Sequence, residues 1–86
     1  MELIDIRDIK TSEVSVYYRM QYTGNAIFEI GGKETETPIS FIIEISPLGE
    51  KKVFVKILGS VDYPLIPLLR LLKERVMKLY NDGLLV

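Results

Sequence analysis

The chain has 86 residues, enough for one domain (residues 1–86) with a real core but a thin stability margin. Hydrophobic residues make up 48% and charged residues 27%, a balance that excludes intrinsic disorder. The formal net charge of -1 gives no whole-molecule attraction to phosphate or anionic lipid, and the absence of cysteine and histidine removes thiolate and imidazole chemistry together.

In chain order, the first expected strand is Leu3 to Ile9, where Ile4 and Ile6 alternate with Asp5 and Arg7. A connection through Asp8 to Ser12 follows. The second places Val14, Val16, Tyr18, Met20 and Tyr22 on one face. Thr23-Gly24-Asn25 then reads as a two-residue hairpin turn, because the glycine tolerates positive φ. Ala26 to Ile30 becomes a third strand, and Gly31-Gly32 a second hairpin turn. Lys33 to Thr37 is either a wet strand end or a loop. Pro38 has no N–H to give a ladder and so marks an edge, a bulge or a strand start.

The next expected strand puts Ile39, Phe41, Ile43 and Ile45 opposite Ser40, Ile42, Glu44 and Ser46. A turn through Pro47 and Gly49 leads to a last strand, Lys51 to Leu58, and Gly59-Ser60 ends the sheet. The remainder, from Asp62 onward, reads as one helix. Tyr63 precedes a proline, which disfavours helical geometry there, so the helix starts at Pro64 or, failing that, at Pro67. Asn81-Asp82-Gly83 reads as its C-terminal cap, with the helix ending at about residue 82. The expected fold class is α+β: a four- to five-stranded antiparallel meander within residues 3–58, with the long C-terminal helix packed on one face.

A helical projection gathers Leu65, Leu68, Leu69, Leu72, Val76 and Leu79 into the arc that would cover the sheet. Arg70, Glu74 and Lys78 lie opposite. Leu71 falls among them, and Ile66 and Met77 sit at the boundary. The sheet face away from the helix would carry Tyr17, Ile27, Ile42, Phe54 and Leu58, more apolar surface than a wet face needs. Together with Leu71 these form the expected interaction surface.

The missing residue types leave no Ser-His-Asp, Cys-His or zinc arrangement, and no phosphate-binding glycine pattern occurs. Glu34, Glu36 and Glu44 are the densest carboxylates, but they lack the spaced oxygen ligands of a calcium loop. No catalytic, metal or cofactor site is therefore expected, and the chain does not read as an enzyme. Arg70, Lys73, Arg75 and Lys78 spread around the helix, and Glu29 and Glu44 share a face with Tyr17 and Phe54, which argues against nucleic acid. The N-terminus lacks the pattern of a secretory signal, and no apolar run approaches the roughly 18–20 residues of a membrane span, so a cytoplasmic location is expected. The function expected is that of a protein-interaction or assembly module, a homodimer joined through the second sheet face or an edge strand. The rival is a small-molecule or single-stranded nucleic-acid binder using the same face.

Overall fold

The alternation of apolar residues on either side of Gly31-Gly32 builds the backbone of the molecule. In the computed structural model, which describes residues 1–60 and 64–85, four strands and one helix follow in chain order. β1 (Glu2–Thr11), β2 (Arg19–Ile30), β3 (Lys33–Ile45) and β4 (Lys51–Ile57) form one antiparallel sheet in the order β1-β2-β3-β4. α1 (Leu65–Asn81) covers one face. The fold is the expected α+β meander with a C-terminal helix.

β2 and β3 make a long hairpin in unbroken register, from Ile30 opposite Lys33 to Arg19 opposite Glu44. Gly31 and Gly32 close it with φ of 59° and 79°, the pair of left-handed residues that a tight hairpin turn requires. Lys33 to Thr37 is thus ordered strand. Pro38 is tolerated inside β3 because its carbonyl accepts the Leu58 N–H at 2.9 Å. Its missing N–H falls on that same side, where β4 has just ended.

Two local expectations are overturned. No turn occurs at Gly24-Asn25; the second and third expected strands are one strand, β2. Gly24 lies under a bulge of β1, where Asp8 (φ 55°) and Ile9 together oppose a single β2 position. A Cβ at Gly24 would stand 3.2 Å from both the Arg7 carbonyl oxygen and Ile6 Cγ2. The glycine permits close backbone approach and turns nothing. Nor is Val14–Tyr18 a strand, despite its alternation. Ser15 Oγ donates to the Gln21 carbonyl at 2.9 Å and accepts the Gln21 N–H at 2.8 Å. The serine hydroxyl takes both bonding groups a ladder neighbour would have used, and the segment folds back as a loop.

The core lies between helix and sheet. Leu3, Ile6, Tyr22, Ala26, Phe28, Ile39, Phe41 and Ile43 meet Leu68, Leu72 and Val76 there. Tyr22 stacks on its cross-strand neighbour Phe41, ring centroids 5.2 Å apart. Burial, and secondarily the nearby Tyr80, raises the Tyr22 phenol above its ordinary pKa.

α1 begins at Leu65 with Pro64 just before it, so Pro67 falls in the first turn, where no intrahelical N–H bond is lost. A start at Pro67 is thereby excluded; Asp62 and Tyr63 lie outside the described residues. At the other end Gly83 takes a φ of 71°, the Gly83 N–H bonds the Tyr80 carbonyl and the Leu84 N–H that of Leu79. That is the glycine cap expected.

The helix backbone approaches the two edge strands, β4 and β1, because the sheet curls up on both sides of it. The curl widens the covered arc toward β1. Leu71, expected to be surplus, packs against the core. Leu65, expected to be covered, is 48% exposed. On the β1 side Arg75 donates to the carbonyls of Leu3 (3.2 Å) and Ile4 (3.1 Å), tying the helix to the sheet edge beside a second β1 bulge.

Candidate interaction surface

The face of the sheet away from α1 is made by the alternate residues of all four strands, and their register sets which side chains stand abreast. At the centre of the β3–β4 half, Ile42 lies directly opposite Phe54. Ile42 is half-buried and Phe54 is 49% exposed, so the pair offers apolar surface to solvent. Leu58, just past β4 and 53% exposed, continues that column beyond Lys56.

Charges surround this pair unevenly. One row beyond it, Arg19, Glu44 and Lys52 stand abreast on β2, β3 and β4, with Arg19 Nε 3.1 Å from Glu44 Oε1. On its other side the next row carries Lys10, Thr23, Ser40 and Lys56. Toward the Gly31-Gly32 turn the sign reverses. Asp5, Ile27 and Glu36 form one row, and Glu2, Glu29 and Glu34 form the last. Three carboxylates directly across neighbouring strands repel one another, and none of these three makes an ion pair among the described residues. Among the described residues no such group is placed to hold a metal ion. Glu44, which the sequence groups with Glu34 and Glu36, sits at the opposite end of the hairpin.

Of the residues expected on this surface, the structure brings together Ile42, Phe54 and Leu58. Ile27 does lie on this face, but at 2% exposure it has almost nothing left to offer a partner. Leu71 belongs to the other side of the sheet, against the core. Tyr17 stands in the loop between β1 and β2, 87% exposed, with its ring edge-on to Tyr18 at 5.5 Å.

That loop reveals a feature sequence reasoning missed. Val14, Val16, Tyr17 and Tyr18 project at the same end of the molecule as Leu48, in the turn between β3 and β4. The Ile45 N–H donates to the Tyr18 carbonyl at 2.9 Å, and a cleft lined by Tyr17, Tyr18, Ile45, Ser46 and Pro47 runs between the two loops. The false strand over Val14–Tyr18 hid it, since the alternation placed those side chains on sheet faces. Ser12 and Ser15 were the available signal, as serines that bond nearby backbone interrupt ladders.

No helix among the described residues is long and apolar enough to cross a membrane. No curated protein and no solved structure matches the chain. The match that does exist is to the model of an uncharacterised protein family, and it spans nearly the whole chain. It runs over residues 1–81, from the start of β1 to the last turn of α1, and on that extent the chain belongs to this family.

Proposed function

We propose that this protein is a non-enzymatic assembly module of the cell interior that self-associates, two copies meeting through their open sheet faces. The observation that carries the reading is the Ile42–Phe54 pair, apolar and part-exposed in the middle of a face with no second layer over it among the described residues. A second copy is the occupant that the face itself favours, because it carries both signs of charge in separate places and can complement itself. The net charge of -1 adds little repulsion between copies.

The open face is a better candidate than a strand edge. β1 carries two bulges, and Arg75 already occupies the Leu3 and Ile4 carbonyls. β4 has the helix beside it. Both are devices that blunt an edge against strand addition. A single-stranded nucleic acid on the same face would meet the carboxylates of Glu2, Glu29 and Glu34, which repel phosphate.

Sedimentation equilibrium over micromolar to millimolar concentrations tests the reading. A concentration-dependent dimer is expected, and Phe54→Lys should be a folded monomer, since the new ammonium would be buried only in the assembly. A wild-type monomer at every concentration rejects self-association.

A further inference from the structure

We infer that the two copies pack with their strands running in opposite directions, the acidic end of each sheet face lying over the basic end of the other. The inference rests on the self-association proposed above and specifies its geometry. Two identical faces that stack are related by a two-fold axis lying between them, either along the strands or across them. An axis along the strands would superpose the Glu2–Glu29–Glu34 row on its own copy and the lysine rows on theirs. An axis across the strands reverses one sheet, and each carboxylate row then meets a lysine or arginine row.

The placement on β2 makes that exchange symmetric. Glu29 lies five positions to one side of Gly24 and Arg19 five to the other, so an axis passing near Gly24 sets Glu29 of one copy over Arg19 of the next. The same operation brings the row of Asp5 and Glu36 over the row of Ile42 and Phe54, which Lys52 and Lys56 flank on β4. The two ends of the face are about 20 Å apart at the usual rise per strand residue, more than a Debye length at physiological salt. Each end therefore responds to what lies directly over it and little to the far end of its own sheet.

This accounts for a feature the isolated chain leaves costly. Three in-register carboxylates, without ion-pair partners among the described residues, weaken the monomer and become favourable only when a cationic surface covers them.

Charge swapping tests the orientation, with circular dichroism and urea melts confirming each fold. Reversing one end, E29K with E34K, should raise the dimer dissociation constant on the order of tenfold or more, while raising monomer stability because the row is relieved. Reversing both ends in one chain, by adding K52E and K56E, should restore self-association. The doubly reversed chain should not pair with the wild type, because reversed packing then sets acid over acid. Native mass spectrometry of that chain mixed with isotopically labelled wild type reads this self-sorting directly. Free mixing with a preference for the mixed dimer would establish the other axis and overturn the inference. So would a dimer indifferent to reversing one end, which leaves self-association standing without this orientation. A wild type that never dimerises overturns both proposals.

Discussion

Replacing Gly31 by Asn is expected to leave stability unchanged or raise it by up to about 1 kcal/mol, because Asn suits the first left-handed position of a tight hairpin turn and restricts the unfolded chain. The same replacement at Gly24 should cost on the order of 1–3 kcal/mol. There the added side chain must enter space bounded at 3.2 Å by the Arg7 carbonyl oxygen and by Ile6 Cγ2, and a backbone atom cannot simply turn aside. Urea denaturation of the two variants measures both. Had Gly24-Asn25 been a turn, the two glycines would respond alike. In the sequence the two positions look equivalent, each a small or polar pair between apolar runs. What separates them is a bulge on another strand, which neighbouring residues do not encode. Leu71 is a similar case: its place on a helical projection puts it among charged residues, and only the curl of the sheet brings β1 within its reach.

Elements were legible where one face is dry and the turn chemistry is unambiguous. The alternation from Ile39 to Ile43 and the cap at Gly83 are of that kind, since burial and positive φ each leave few alternatives. The alternation from Val14 to Tyr18 was equally regular and misleading, because the hydrogen bonds of Ser15 outweigh a pattern with no core to face. How the helix is held to the sheet was not legible at all. Arg75 reads as a helix cation, yet its guanidinium reaches two carbonyls of β1 far back in the chain. Arg75→Met keeps the apolar stem and removes both bonds, and should cost about 1–2 kcal/mol in a urea melt. Lysine in the same place should recover little of it, having a single rotatable ammonium where the guanidinium presents a fork. Hydrogen exchange should rise first at the Glu2–Asp5 end of β1, which those bonds tie down.

At the scale of the whole molecule, the chain places its dry surface and its strongest charge pattern on opposite sides of one sheet. The helix side is closed, and its apolar residues are largely accounted for by the core. The other side keeps Ile42 and Phe54 between two zones of opposite sign. If that face is covered by a second copy, folding and association are one equilibrium, and thermal stability must depend on protein concentration. Each tenfold increase above the dissociation constant adds RT ln 10 per dimer, about 0.7 kcal/mol per chain. For a domain of this size that corresponds to a rise of about 3–5 °C in Tm. Differential scanning calorimetry across a hundredfold range should resolve such a slope in the wild type. Phe54→Lys should show none, while unfolding at the temperature the wild type approaches on dilution. A flat wild-type Tm at concentrations where sedimentation finds a dimer would mean that the copies meet too weakly to support each other's fold. The face would then be a site of transient contact, and the stability of the chain would rest on the helix side alone.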